Sequence, residues 1–254
     1  MGTSQRNFAA EQYASRAQDY VASAVHSAGA DLDQLEAELR GWGAARMLDL
    51  GCGGGHVSYR VAPHVAEVVA CDVTAAMLDA VATEAARRGL SNITTQQAAA
   101  ESLPFPDASF DAVLCRFTAH HWQDVEAGLR EARRVLKPSD RAVFIDSVAP
   151  ADRALDTHLQ AVELLRDASH VRNYTVAEWV CSLSRAGFAV QGVTVRALRM
   201  EFPTWTGRTR TSAVHAEAIR SLQAGSPEAV RKHFAVGEDG SFDLDVATIL
   251  AQAA

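Results

Sequence analysis

Cysteine is scarce in this chain and carries no pattern. Cys52, Cys71, Cys115 and Cys181 are the four in 254 residues. None forms a CxxC pair, so neither a disulfide framework nor a zinc site follows. Three of them sit in apolar, strand-like surroundings, where a small buried thiol is expected. Long apolar runs are missing too: nothing approaches the roughly 20 residues of a membrane span. The opening MGTSQRNFAA has no apolar stretch of the kind a secretory signal carries. These absences predict a cytoplasmic protein without a membrane span. Positive charge is in deficit, with a formal net charge of −7, which argues against a nucleic-acid partner. Arg130, Arg133, Arg134 and Lys137 form the one basic cluster, and their helical spacing predicts a solvated helix face. What is present is apolar residue at 48%, enough for one substantial core or a core plus a small cap.

Organisation follows from periodicity. Helical material opens the chain, roughly Glu11 to His26 and then Leu32 to Arg40, the second with Asp31 placed as an N-cap and Gly41 as a stop. From Arg46 strands and helices alternate. Strands are predicted at Met47–Leu50, Val65–Cys71, Ile93–Gln97, Ala112–Cys115 and Ala142–Val148. Helices are predicted at His56–Ala62, Thr74–Arg88 and Asp124–Leu136, the last ended by Lys137-Pro138. Short apolar strands alternating with helices call for a doubly wound α/β sheet covered on both faces. Beyond Pro150 come a helix over Asp152–Ala168 and a capping box in Thr175-Val-Ala-Glu178. Then follow strand-like Phe188–Phe202, a helix opened by Ser226-Pro227-Glu228, and a last strand over Phe242–Ala251. One domain is expected: a helical cap over 1–43, a cofactor-binding core over 44–150, and a cap insert with the end of the sheet over 151–254.

The stretch MLDLGCGGGHVSYR, Met47 to Arg60, puts four glycines on a strand-to-helix turn. A dinucleotide fingerprint needs G-x-G-x-x-G. Counting from Gly51 the third glycine falls on His56, and counting from Gly53 it falls on Ser58, so both frames fail. A P-loop needs a lysine at its end, and none stands there. What remains is Asp49, Gly51, Gly53 and Gly55 as D-x-G-x-G-x-G. The acid would repel a phosphate and attract a cation. Some 20 residues on, Asp72 is placed like the acid that binds a ribose diol. A nucleoside with a ribose, no phosphate and a cationic amino-acid tail suits this set, and S-adenosylmethionine is that compound. The competing account is a structural glycine turn with two unrelated aspartates.

LDLGCGGGHV, VVACDVTAAML, LPFPDASFDAV and EARRVLKP together resemble the class I S-adenosylmethionine-dependent methyltransferases (methyltransferase type 11). The resemblance is nearest to the small-molecule group that includes the ubiquinone and menaquinone biosynthesis enzymes. It covers Met47 to Val148 with specific motifs and Tyr174 to Phe188 more loosely. It implies a Rossmann-like seven-stranded sheet with the last strand antiparallel. Asp49, Gly51, Cys52 and Gly53 would then line the methionine-tail pocket, and Asp72 with Val73 would hold the ribose. Met77 would pack on the adenine. Ala99, Ala100 and Glu101 stand where the family often reads Asp-Ala-Glu. With Ala99 in place of the aspartate, the adenine must be held by backbone groups and apolar contact.

The strand Ala112–Cys115 ends in RFTAHHWQD. Ligands in open parallel sheets bind outside the carboxyl ends of strands, so this loop faces the cofactor, with Arg116 and Phe117 beside it. His120 and His121 are candidate proton acceptors, against the alternative that they cap or pack the next helix. Trp122 reads as packing or as a substrate platform. Tyr13 and Tyr20, seven apart, share a helix face and could close on the site or form core. Tyr174 is a substrate candidate, with His158, His170 and Arg172 behind it. The expected partner is a small-molecule methyl acceptor, with no metal. A non-catalytic S-adenosylmethionine-binding module is the alternative. A nicotinamide oxidoreductase is disfavoured by the failed glycine frames, and nucleic-acid methylation by the missing basic groove.

Overall fold

The computed structural model describes residues 5–14 and 28–254. Seven strands form one sheet: β1 Arg46–Leu50, β2 Glu67–Asp72, β3 Ile93–Gln97, β4 Phe110–Arg116, β5 Leu136–Ser147, β6 Phe188–Met200 and β7 Phe242–Ala253. Their order is β3-β2-β1-β4-β5-β7-β6. The pairs among β1 to β5 are parallel, and β7 runs antiparallel to both β5 and β6. The doubly wound sheet with its last strand reversed therefore stands as expected.

Helices cover both faces. They are α1 Gln5–Ala14, α2 Ala30–Arg40, α3 His56–Val61, α4 Ala75–Arg87, α5 Val125–Val135, α6 Arg153–Arg166, α7 Val176–Arg185, α8 Phe202–Arg208, α9 Ala213–Gly225 and α10 Glu228–His233. β1 shows why two covers are needed. Met47 joins the cluster under α2 and α3, while Leu48 and Leu50 join the one under α5. Alternate residues of a strand point to opposite faces, so a strand apolar throughout must be buried twice. α5 answers with Val125, Leu129, Ala132 and Val135 on one stripe. A third cluster, with Leu159, Val162, Trp205, Ile219 and Phe242, joins α6, α8 and α9 to the far ends of β6 and β7.

Several local expectations are corrected. Helix α2 begins at Ala30 after Gly29, with no side-chain cap, because the Asp31 carboxylate pairs with Arg116 instead. The strand expected from Ala142 begins at Leu136, and its register with β4 shifts between Phe110 and Ala112. Pro138, which has no N–H to give, falls within that irregular stretch. Ser226 does not cap α10: Pro227 holds that position without a side-chain bond, and the Ser226 hydroxyl donates back to the Leu222 carbonyl. Helices α8 and α9 carried no expectation. The capping box at Thr175 and Glu178 is present with both bonds made. Of the first predicted helix, the residues after Ala14 up to His26 lie outside the described ones. No helix among the described residues is long and apolar enough to cross a membrane.

Arg133 and Arg134 of the basic cluster do not lie on a solvated face, whereas Arg130 stays exposed. Arg133 donates to the carbonyls of Gly187 and Ala254. Arg134 donates to the carbonyls of Leu103 and Phe105 and to Asp107 and Glu131. It thereby fixes the 103–107 turn to α5. Arg134→Ala leaves two carbonyls without their donor and should cost about 1–3 kcal/mol. Arg134→Lys should not restore the loss, since a single ammonium cannot span the fork. Thermal unfolding of both variants checks this, and a lysine variant as stable as the parent would contradict it.

Candidate active site

The chain leaves β1 in a turn that only glycine can make at two points for reasons of packing. A Cβ on Gly51 would lie 2.3 Å from Thr118 Oγ1, and one on Gly55 would lie 2.8 Å from the Tyr59 ring. Gly53 differs. A Cβ there meets nothing within 4 Å, because the residue borders a cavity. The turn is fastened to β2 by Gly51 N–H and Cys52 N–H, which both donate to the Cys71 carbonyl.

Two carboxylates flank this turn. Asp49 is 2% exposed and its Oδ2 accepts from the Ser58 N–H at 3.0 Å and hydroxyl at 2.6 Å. Burial, helped by the charge of Asp72 and resisted by Ser58, pushes its pKa up to about 6. Asp72, at the end of β2, accepts from Gly53 N–H at 2.9 Å and Thr74 N–H at 2.8 Å. Burial raises its pKa as well, against those same bonds. Both line the cavity with Gly51, Cys52 and Gly53. The Cys52 thiol is pushed up by burial and by both aspartates, so it is an inert wall group.

Beyond Asp72 the wall turns apolar. Val73, Met77, Ala99 and Ala100 line it. Glu101 lines it too, but its Oε1 accepts from the Gln123 and Asp124 N–H groups, so it secures the start of α5. Helix α1 closes over this side. Ala9 and Tyr13 reach the cavity, and Tyr13 packs beside Met77 and Ala80.

The end of β4 supplies the opposite wall. Arg116 is bonded to Asp31 at 2.5 Å and lies 4.7 Å from the Phe117 ring centre. Phe117 has φ +52°, a costly conformation for an aromatic residue and one that clusters at functional sites. His120 follows, with Nδ1 2.6 Å from Asp146 Oδ1. Burial opposes its protonation, but the charge and hydrogen bond of Asp146 prevail and raise its pKa. His121 is held at both nitrogens. Nε2 lies 2.9 Å from the Tyr13 hydroxyl and Nδ1 3.1 Å from the Ser169 carbonyl, while Tyr13 donates to Asp167 at 2.6 Å. Burial, then the neighbouring His120, pushes the His121 pKa down to about 4. Trp122 borders the cavity, its ring lying over Gly128, where a Cβ would come within 2.5 Å of it.

The cavity continues past these residues to a volume of about 1550 Å³ including its open mouth. Its far half is built by Ser147 of β5, Glu163 and Arg166 of α6, and Trp205 and Arg208 of α8. Leu198 and Met200 of β6 and Leu244 of β7 complete it. None of these was anticipated, nor was Asp146. Only Asp146 carried a usable signal, as an acid near the carboxyl end of a predicted strand. Every predicted cofactor residue and Tyr13, His120, His121 and Trp122 are gathered in this one cavity. Tyr174 is not: its ring packs against Trp179, because the capping-box helix turns it toward the core under α7. His158 bonds Ser226, Arg172 pairs with Asp156, and His170 bonds Gln160, all outside the lining. Tyr20 lies outside the described residues.

Comparison with known proteins bears on the family and the fold. A family model described as a methyltransferase domain matches residues 48–144. The chain is similar to the uncharacterised protein YafE of Escherichia coli K12, with 44% identity over 200 residues, 79% of this chain and 97% of that one. It is 35% identical over 218 residues to the uncharacterised methyltransferase YcgJ of Bacillus subtilis, covering 85% and 86% of the two chains. The crystal structure of YcgJ superposes with a TM-score of 0.84 at 33% identity, covering 88% of this chain and 97% of that one.

The Asp49 carboxyl gives this site a pH signature. Its folded pKa of about 6 lies above the ordinary 3.8, so the folded state holds its proton more tightly than the unfolded state. The associated stability is present below pH about 4 and is lost as pH rises through about 6, amounting to roughly 3 kcal/mol. Asp49→Asn keeps an oxygen for Ser58 and removes the titration. Denaturant midpoints of the ligand-free protein between pH 4 and 7 should be flatter in the variant, and unchanged curvature would contradict the assignment.

Proposed function

The chain belongs to the methyltransferase family, and from that premise we propose that it transfers a methyl group from S-adenosylmethionine to a small-molecule acceptor in the cytoplasm. The observation that carries this reading is the pair of carboxylates at the glycine turn, Asp49 buried and Asp72 half-buried. A phosphate placed there would face both Asp49 and Asp72, whereas a cation relieves the cost of burying them. Asp72 is already oriented by the Gly53 and Thr74 N–H groups, which suits it to accept from the two hydroxyls of a ribose. Met77, Val73, Ala99 and Ala100 form an apolar slot for the adenine, with no side-chain acceptor needed. Asp49, Gly51, Cys52 and Gly53 enclose the amino-acid tail, and Arg116 and Phe117 flank the sulfonium.

The cofactor, when bound, supplies a methyl group on a positively charged sulfur. The residues of this chain need only align the acceptor and exclude water, and well-oriented reactants can supply roughly 7–11 kcal/mol of the barrier. His120 and His121 stand at the boundary between the two halves of the cavity, with Trp122 and Tyr13 beside them. The far half favours an enzyme over a module that only binds the cofactor. A module has no use for a cavity that extends beyond the cofactor residues to α6, α8, β6 and β7.

Asp72→Ala removes a charged acceptor, a loss of about 1.5–3 kcal/mol. Calorimetry should find S-adenosylmethionine and S-adenosylhomocysteine both bound roughly 10- to 150-fold more weakly, while the parent protein ignores NADH. Unaltered affinity in a folded variant refutes the ribose role. Gly53→Val places a branched side chain in the tail pocket and should abolish binding of either compound with the circular dichroism spectrum retained. Tight binding by that variant would mean that the turn does not hold the ligand.

A further inference from the structure

The two adjacent histidines are built for different tasks. Both nitrogens of His121 are engaged, by Tyr13 and by Ser169. Among the described residues only Nδ1 of His120 is engaged, by an Asp146 carboxylate that is 3% exposed. Asp146 is itself fixed, since its oxygens also accept from the N–H groups of His120 and Ser147. A carboxylate on Nδ1 keeps the proton there and presents Nε2 as a bare lone pair. His120 borders the cavity where the cofactor end meets the far half. Beside the charged Glu163, Arg166 and Arg208, the far half is lined by Leu198, Met200, Trp205 and Leu244, with Trp205 1% exposed and braced edge-on by Phe242.

We propose that His120 and Asp146 form a proton-accepting dyad, and that the acceptor is a small molecule with an apolar portion whose nucleophile is an O–H or N–H group. This rests on the methyltransferase reading above. The acceptor's body lies against Trp205, Met200 and the two leucines, and its proton faces Nε2. The proton passes to His120 Nε2 as the heteroatom's lone pair takes the methyl group and the carbon–sulfur electron pair returns to sulfur. A neutral acceptor thus gives a neutral methylated product, and the positive charge of the sulfonium ends on the imidazole. There Asp146 stabilises it, with the hydrogen bond already made. Asp146 is a positioning residue, and His120 is the catalytic one.

Burial and neighbouring charge together favour the proton on this ring over the other two. His120 faces Asp146 from β5, His121 on its own turn, and Glu163 and Arg166 from α6, with the His170 ring 5.9 Å away. Burial and the charge of His120 push the His170 pKa down to about 2 and the His121 pKa to about 4. Asp146 and Glu163 raise that of His120 against its burial.

The test uses full-length protein, labelled S-adenosylmethionine, and two phenols as probes. 2-Naphthol keeps its proton at neutral pH, and 4-nitrophenol largely loses its own unaided. The parent should methylate both. His120→Ala should lower turnover on 2-naphthol by roughly 100- to 10,000-fold, with a much smaller loss on 4-nitrophenol and S-adenosylhomocysteine affinity retained. Asp146→Asn should lower kcat on 2-naphthol more than it alters KM and move the acid limb of the pH profile to lower pH. Imidazole NMR of the ligand-free protein gives a readout independent of turnover. It should find the Nδ1–H tautomer at His120, titrating above the ordinary value and falling below its parent value in Asp146→Asn. His121→Ala should chiefly lower the melting temperature. A parent that binds cofactor but methylates neither phenol overturns this inference alone. So does an undiminished His120→Ala rate on 2-naphthol, or an NMR titration that Asp146→Asn leaves in place. Failure to bind S-adenosylmethionine at all falls instead on the cofactor reading.

Discussion

The site depends on β1 lying between β2 and β4. The chain leaves β1 toward one side of the sheet and returns to β4 on the other, so the connections at the carboxyl ends of these strands part and leave a crevice. Open α/β sheets bind ligands at such a point because no crossover can cover it. Four groups of site residues are carried to the crevice by strand ends. Asp49 and the glycines come from β1, Asp72 from β2, Arg116 to His121 from β4, and Asp146 from β5. The helices then decide which of these side chains are buried, and burial decides their chemistry. Ser58, near the start of α3, takes hold of Asp49. Gln5 of α1 donates to the Ser169 carbonyl, and Tyr13 to Asp167.

Electrostatically the crevice has two characters. Its glycine-turn end holds two acids whose pKa values burial raises, so ionising them costs free energy that a cationic ligand offsets. Its middle holds imidazoles of which only His120 faces a carboxylate directly. The protein thereby separates a place that favours positive charge on a ligand from a place that can receive a proton. Both lie in one cavity.

Much of this was legible in the sequence. The glycine turn, Asp72 and the strand preceding RFTAHHWQD are local patterns, and a parallel sheet converts local position into spatial proximity. The capping box at Thr175 was equally readable, since both of its bonds lie within four residues. What escaped was long-range. Arg134 reads as a solvated residue because its carbonyl partners lie about 30 positions earlier in the chain. Tyr174 reads as a site residue until the packing of Trp179 turns it inward. The far half comes from five elements spread over roughly 100 residues, and none has a motif. Trp205 gives no sign in the sequence that its ring borders a cavity. Asp31 looked like a cap until Arg116, 85 residues on, claimed it.

β7 has a consequence for how the molecule assembles. It lies between β5 and β6, both of which precede it in the chain, and pairs with each along most of its length. Until residues 242–253 arrive, β5 lacks one ladder and β6 lacks its only one. The sheet from β3 to β5 can hydrogen-bond without it, so the glycine turn and Asp72 belong to a portion of the fold that closes through shorter loops. The chamber walled by Leu198, Met200 and Leu244 must wait for a strand more than 90 residues beyond β5, and such distant pairings are slow to form. Maturation of the polypeptide is therefore polarised: the glycine-turn end of the crevice can exist before the end walled by β6 and β7.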